Sequence, residues 1–251
     1  MSRARLFRSL KALDVDAVSE VLAADPALLR AVDDRKRTPL HFLCSLPSAP
    51  RAADRATRLA RRLLDAGADI DAPAFTEGTW HATPLWYAVA RGENIAMARF
   101  LLQRGASPEH CLWAAAFRDD VETIDLLIRH RATIDPVAED ETPLLSAVKT
   151  SHFAAAERLL RHGANVNFQN SKGLTALHFA LRKDSPPKHV EMLMRRGADP
   201  SLRARDGKSP LDLVARRRDR AYLELLTRGR RDRRCDPWRT TRRAITPRTA
   251  G

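Results

Sequence analysis

The chain has 251 residues, of which 44% are hydrophobic and 30% charged, so it can bury a substantial core. No apolar run approaches the ~18 residues that a membrane-spanning helix needs, and three cysteines without a C-x-x-C pair exclude a disulfide framework and a zinc ribbon. The net charge of +13 is concentrated in residues 216–251, which hold 13 arginines against four acidic side chains. We therefore expect a folded protein of a reducing compartment, the cytoplasm.

The first predicted unit, residues 6–30, consists of two short helices that meet near Asp14 and Asp16. It lacks the motif described below, as expected of a terminal capping unit. The basic N-terminus is not followed by a continuous apolar segment, so we expect no secretory signal. Arginine outnumbers lysine 37 to 7, a bias typical of a GC-rich, bacterial genome.

A four-residue motif recurs along the rest of the chain. The last three copies begin at intervals of 33 and 34 residues. Each motif opens a predicted helix, and the first four copies are followed by a second helix that has a pair of leucines (Leu-Met in the fourth) and a glycine at its end. The copies are T-P-L-H at 38–41, T-P-L-W at 83–86, T-P-L-L at 142–145, T-A-L-H at 175–178 and S-P-L-D at 209–212, and the glycines are Gly67, Gly105, Gly163 and Gly197.

Each position of the motif has a physical role. The threonine hydroxyl can accept a hydrogen bond from a backbone N–H that the first turn leaves unpaired. Proline suits the first helical position, because no hydrogen bond is lost there. The terminal glycine permits a left-handed C-cap. A single helix pair cannot bury its apolar face, so the units must stack on one another.

Three departures from the period are visible. Seven extra residues are predicted between the helices of the second unit, around residues 47–50, and the loop at residues 72–82 is four residues longer than its counterparts. The fourth unit, beginning at His110, lacks the motif and has Arg131 where glycine is expected. That arginine must use a different C-cap or adopt a strained left-handed conformation.

The motif, its period and the terminal glycine resemble the ankyrin repeat, in which a β-turn and two helices recur every ~33 residues. The resemblance implies an all-α solenoid of about seven helix–turn–helix repeats with short β-turn fingers over residues 3–228. It also implies a monomeric, non-catalytic module for protein–protein interaction, acting as an adaptor, inhibitor or targeting scaffold. The sequence contains no catalytic, metal-binding or cofactor-binding motif, so we predict no enzyme and no cofactor.

In the ankyrin pattern, the residues that end each first helix face a concave binding groove. At least one of them is basic in the third to seventh units, which predicts an acidic protein partner. The alternative is a solvated helical face in an Arg-rich chain. The candidate residues are Arg91, Phe117, Arg118, Lys149, Arg182, Lys183 and Arg216.

Aromatic residues provide a second set of candidates. Phe75 and Trp80 lie in the long finger, and Tyr87 follows Trp86 in the third unit. Exposed tryptophan and tyrosine are effective binding anchors. Trp86 and Trp113 stand where other units have histidine, and packing between neighbouring helices is the alternative interpretation for both.

The predicted tail, residues 229–251, is disordered and basic, with Arg230, Arg231, Arg233 and Arg234 in one run. Such a run can bind nucleic acid or an anionic surface without sequence specificity. This association is the alternative function, and a solubilising tail without a ligand is the other interpretation. Delivery as a secreted bacterial effector is a weaker alternative, for which the sequence shows no export signal.

Overall fold

The computed structural model describes residues 2–47, 50–74, 76–77, 80–217 and 219–233. Within these ranges it contains fourteen α-helices, one 3₁₀ helix and one two-stranded sheet. The helices form seven consecutive pairs, and the chain divides into two compact units, Met1–Asn165 and Val166–Gly251. The structure confirms the all-α fold class and its helix–turn–helix repeats.

The first unit holds five helix pairs. Its elements are α1 (Arg3–Ala12), α2 (Val15–Ala24), a 3₁₀ helix (Pro26–Arg30), α3 (Pro39–Cys44), α4 (Pro50–Asp65), β1 (Thr76–Glu77), β2 (Trp80–His81), α5 (Pro84–Ala90), α6 (Ile95–Gln103), α7 (Cys111–Phe117), α8 (Val121–Arg129), α9 (Pro143–Thr150) and α10 (Phe153–Arg161). The second unit holds two pairs: α11 (Ala176–Arg182), α12 (Pro187–Arg195), α13 (Pro210–Arg217) and α14 (Arg220–Arg233).

The motif threonines cap the first helix of their pairs. Thr83 Oγ1 accepts the N–H of Trp86 at 3.3 Å, and Thr142 Oγ1 accepts the N–H of Leu145 at 3.2 Å. Proline occupies the first helical position of α3, α5 and α9, where its missing N–H has no helical partner to lose. The local chemistry of the motif therefore sets where these helices begin.

The core of the first unit lies between the two helix layers. The odd-numbered helices α1, α3, α5, α7 and α9 pack on one another in sequence, while α4 contacts α2 and α6, and α8 contacts α10. Leu63, Leu101 and Leu159, which each open a leucine pair, are completely buried. Burying side chains of this size is worth roughly 1.5–3 kcal/mol each, which holds every pair to its neighbours.

The extra residues of the second pair lie in a helix rather than between helices, so the sequence prediction was wrong on this point. Helix α4 has 16 residues, whereas α6 has 9. Pro50 is compatible with a first turn, and the alanines and arginines that follow it are strong helix formers. The insertion therefore extends α4 at its N-terminal end.

The long finger forms a β-hairpin, in which β1 and β2 pair antiparallel with Thr76 opposite His81. The irregular fourth pair keeps normal packing, because α7 contacts both α5 and α9. Arg131 retains the hydrogen bonds of the glycine caps, with its N–H on Ile128 O, and adopts the left-handed φ of 65°. The second alternative for Arg131, backbone strain, is the one observed.

In the second unit, α11 packs on α12 and α13, and α14 packs on α12 and α13. The Tyr222 hydroxyl, on α14, donates to the carbonyl of Ser185 at 2.6 Å and joins the last two helix pairs. Helix α14 extends to Arg233, so the first residues of the predicted tail are helical. Residues 234–251 lie outside the described part of the chain, and the division at residue 228 stays a prediction.

Candidate interaction surface

The candidate surface of the first unit is formed by the ends of α5, α7 and α9. Arg91 is exposed at the end of α5 and has no ion-pair partner among the described side chains. Arg118, after α7, contacts Glu93 at 2.5 Å, and Lys149, near the end of α9, contacts Glu141. Carboxylates of the same unit therefore offset two of the three predicted cations.

An aromatic cluster lies close to both ion pairs in the chain, with Phe117 directly before Arg118 and His152 three residues after Lys149. Phe117 is 47% exposed, an unusual state for a large apolar side chain. Its ring stacks on Trp113, with ring centres 5.4 Å apart and planes within 8°, and meets the edge of His152 at 6.2 Å. Trp113 thus covers one face of the phenyl ring, His152 lies perpendicular to it, and nearly half of the residue stays exposed.

Tyr87 belongs to a packed cluster rather than to an open surface. Its ring meets His41 edge-on at 5.5 Å and Trp86 at 5.3 Å, and Trp86 is 9% exposed. The guanidinium of Arg37 lies 5.9 Å from the Tyr87 ring centre. Burial raises the pKa of the Tyr87 hydroxyl. The burial of Trp86 therefore agrees with the interpretation that this side chain packs between helices.

Arg37 connects the finger that precedes α3 to residues of α3 and its C-terminus. Its guanidinium contacts Asp33 at 2.7 Å, donates to Ser45 Oγ at 2.7 Å and lies over the Phe42 ring. Burial tends to raise the pKa of Asp33, but hydrogen bonds from Arg37 and from the N–H of Arg35 outweigh it and lower the pKa. These contacts fix the finger in place.

His41 connects the second helix pair to the finger that follows it. Its Nε2 lies 2.8 Å from the carbonyl oxygen of Ala72 and 3.2 Å from that of Ala82. Carbonyl oxygens only accept, so Nε2 carries the proton and Nδ1 accepts the N–H of Thr38 at 3.3 Å. Burial, with a smaller contribution from the charge of Arg37, lowers the pKa of His41 to about 4, although the hydrogen bonds to Ala72 and Ala82 oppose the shift. The neutral imidazole is therefore the form that the fold requires.

The candidates of the second unit lie at the ends of α11 and α13. Arg182 contacts Asp206 at 3.5 Å, while Lys183 and Arg216 are exposed. His178 repeats the arrangement of His41, with Nε2 3.2 Å from Lys208 O and Nδ1 accepting the N–H of Thr175 at 3.1 Å. Burial lowers the pKa of His178 as well.

Several candidates cannot be placed as side chains. Trp80 lies in β2 and Arg230, Arg231 and Arg233 lie in α14, but only their backbone is described. Phe75 and Arg234 lie outside the described residues. Their roles in the finger and in the tail stay predictions.

Sequence reasoning missed the carboxylates beside the predicted cations. The carboxylate of Glu141, in the finger that precedes α9, contacts Lys149 near the end of that helix. Sequence reasoning also missed a repeated link between fingers, in which Asp71 and Asp135 accept the N–H of Ser107 and Asn165 at 2.9 Å. The sequence contained a signal for this link. Asp71 stands four residues after Gly67, and Asp135 stands four residues after Arg131, the equivalent position of its unit.

The geometry defines a helix-pair repeat protein, and the comparisons with known proteins identify the repeat. Residues 112–204 match a model of three ankyrin repeats, and residues 80–111 match a single ankyrin repeat. The ankyrin repeat domain of Bcl-3 superposes with a TM-score of 0.72 at 26% identity, covering 89% of this chain and 97% of that one. The human ASB11 ankyrin repeat domain gives 0.69 at 24% identity, covering 89% and 96%. Residues 80–204 are therefore ankyrin repeats, and the chain as a whole has the fold of solved ankyrin repeat domains.

Curated relatives share the repeats over part of their length. The Caenorhabditis elegans ankyrin repeat and KH domain-containing protein mask-1 is 29% identical over 83% of this chain, which spans 9% of that protein. The mouse B-cell lymphoma 3 protein homolog is 38% identical over 45% of this chain and 24% of its own length. This chain therefore spans less than a quarter of either relative. Ankyrin repeat domains are in general protein–protein interaction modules and non-catalytic scaffolds.

Among the described residues, no helix has the length and apolar character to cross a bilayer. The same part of the chain contains no group of three His, Cys, Asp or Glu side chains arranged to hold a metal ion.

Proposed function

We propose that this protein is a non-catalytic recognition module, an adaptor, inhibitor or targeting scaffold, that binds a protein partner through the ends of α7 and α9. The observation that carries the proposal is the exposed ring of Phe117, held against Trp113 and His152. Large aromatic side chains that a partner can bury supply much of the energy of protein interfaces.

The aromatic cluster is already arranged for binding. Stacking on Trp113 restricts the Phe117 ring, so little side-chain entropy remains to be lost on association. Burying the exposed part of the ring would be favourable at about 25 cal/mol per Å² of apolar surface. The polar groups of Arg118 and Lys149 supply the rim that surrounds the apolar centre of a typical interface.

The partner segment we propose is acidic around an apolar residue. Glu93 and Glu141 now contact Arg118 and Lys149, and the Glu93 side chain is 67% exposed. Exposed ion pairs are worth ~0–1 kcal/mol, so an incoming carboxylate can replace the Glu93 contact at little cost. Charge would then set the orientation of the partner, and Phe117 most of the affinity.

The test uses Phe117→Ala and the matched variant Val137→Ala, which removes another exposed apolar side chain, 57% accessible, from the same unit. Each immobilised protein is used for affinity capture from native extract, with quantitative mass spectrometry. We expect a protein that wild type and Val137→Ala retain equally and that Phe117→Ala retains about tenfold less, as for a hot spot of more than 1 kcal/mol. Equal recovery on all three would contradict the assignment of Phe117.

We also propose a cytoplasmic location. Cys44 and Cys111 are buried free thiols, and burial raises the pKa of both. Free thiols are the state that a reducing compartment maintains. Fractionation with a tagged chain tests this location, and recovery in another compartment would contradict it.

A further inference from the structure

Helix α4 presents a row of three arginines to solvent. Arg55, Arg58 and Arg62 are all exposed, and their spacing of three and four residues places them on one helical face. Leu59 and Leu63, on an adjoining face of the helix, are buried. With a rise of 1.5 Å per residue, the row is about 10 Å long.

No described carboxylate pairs with this row. The arginines of the neighbouring helix α6 and its C-terminus form ion pairs instead, Arg99 with Glu122 at 3.6 Å and Arg104 with Asp65 at 2.9 Å. Arg61 lies beside the row with its guanidinium 5.7 Å from the Phe100 ring centre. None of the three arginines therefore forms an ion pair with a described side chain.

The surroundings of the row determine which anion fits it. Among the described residues, the large apolar side chains that are exposed are Val32, Phe117 and Val137, and α4 contains none of them. A protein interface normally has an apolar centre, and this face offers none. Arginine at a site held by charge alone suits phosphate, because its planar guanidinium binds phosphate oxygens in a bidentate manner.

The row is also narrow. Helix α2, which packs against α4, exposes Asp16 and Glu20, and Asp54 and Asp65 are exposed on α4 itself. A flat anionic bilayer would bring its lipid headgroups close to these carboxylates. A single polyphosphate strand that follows the row passes Asp54 and Asp65 but avoids the carboxylates of α2.

We propose that Arg55, Arg58 and Arg62 form a site for the sugar–phosphate backbone of a single nucleic-acid strand. Each of the three guanidinium groups can contact one phosphate, so the row can bind up to three phosphates of the strand. Binding there is independent of base sequence and sensitive to salt. This site is separate from the Phe117 surface, so either can fail without the other.

The experiment measures fluorescence anisotropy of a fluorescein-labelled 20-nucleotide oligothymidylate with the full chain between 50 and 200 mM NaCl. Loss of three phosphate contacts lowers the slope of log K against log salt by about 2, at 0.7 per contact for a single strand. We therefore expect the variant carrying Arg55→Gln, Arg58→Gln and Arg62→Gln to lose about 2 from the wild-type slope. The corresponding triple Lys variant should retain the wild-type slope.

A matched variant distinguishes this site from net charge. Arg8→Gln, Lys11→Gln and Lys36→Gln together remove the same charge from exposed positions elsewhere in the first unit. We expect this variant to keep the wild-type slope. An unchanged slope in the α4 variant, or equal losses in both variants, would overturn the proposal.

Two further probes separate other anions. Poly-L-glutamate represents an acidic protein segment, and phosphatidylserine vesicles represent a membrane. If the α4 substitutions weaken binding to either probe and leave oligothymidylate binding unchanged, the nucleic-acid site is wrong. We expect the oligothymidylate to show the largest loss of the three.

Discussion

Gly92 shows how closely successive helix pairs approach. It lies in the turn between α5 and α6, and a Cβ atom there would stand 2.4 Å from the carbonyl oxygen of Cys44. That oxygen belongs to backbone at the end of α3, so it cannot rotate away as a side chain could. The absence of a side chain at this position allows the contact between α3 and α5.

We expect Gly92→Ala to lower the free energy of unfolding by about 1–3 kcal/mol, the cost of overpacking. Urea denaturation followed by circular dichroism measures the change. Gly105→Ala is the comparison, because a Cβ there meets nothing within 4 Å and only its left-handed φ of 91° opposes the substitution. If Gly92→Ala proves harmless, the close approach of the two turns is wrong.

At the level of the helix, Arg131 is the clearest local defect. It ends α8 with a φ of 65°, while the equivalent Gly163 has a φ of 91° and no side chain to strain. A residue with a Cβ atom in the left-handed region costs roughly 1–2 kcal/mol relative to its favoured conformation.

Arg131→Gly should therefore stabilise the first unit by about 1 kcal/mol, seen as a higher urea midpoint with an unchanged m-value. Arg131→Ala separates backbone from side chain, since it removes the guanidinium and keeps the Cβ atom. We expect no gain from the alanine variant. A gain of equal size in both variants would assign the effect to charge instead.

The helix pairs show what the sequence could and could not predict. Thr142 and Gly163 specify a start and an end through their own backbone chemistry, so local signals sufficed to place α9 and the end of α10. The residues after Pro50 have high helix propensity, and this sets the length of α4. The sequence prediction instead assigned the extra residues to the connection between the helices. The spacing alone gave the number of extra residues and not their conformation.

The candidate surface was less predictable than the fold. The period placed Phe117 and Lys149 at the ends of their helices, where the structure has them. The pairing of Lys149 with Glu141 depends on how side chains extend across a finger, and residue spacing does not determine that direction. The sequence therefore predicted where the charged side chains lie, but not which of them form ion pairs.

At the level of the whole molecule, buried histidines link stability to pH. His41 is fully buried, and its pKa falls from the unperturbed 6.5 to about 4 in the folded protein. Between these values the unfolded chain binds a proton at this residue that the folded chain excludes. The free energy of unfolding therefore decreases as the pH falls through this window, and this group adds no further loss below about pH 4.

We expect His41 to account for a loss of roughly 3 kcal/mol between pH 7 and pH 4, at about 1.4 kcal/mol per pKa unit. His41→Gln removes the titrating group, so its unfolding free energy should be lower at pH 7 and should depend less on pH. The slope should remain above zero, because burial also lowers the pKa of His178 in the second unit. Urea titrations from pH 7 to pH 4 measure both slopes. Parallel curves for the two proteins would show that the acid sensitivity arises elsewhere. The wild-type site beside the carbonyl oxygens of Ala72 and Ala82 would then accept a protonated His41 without loss of stability.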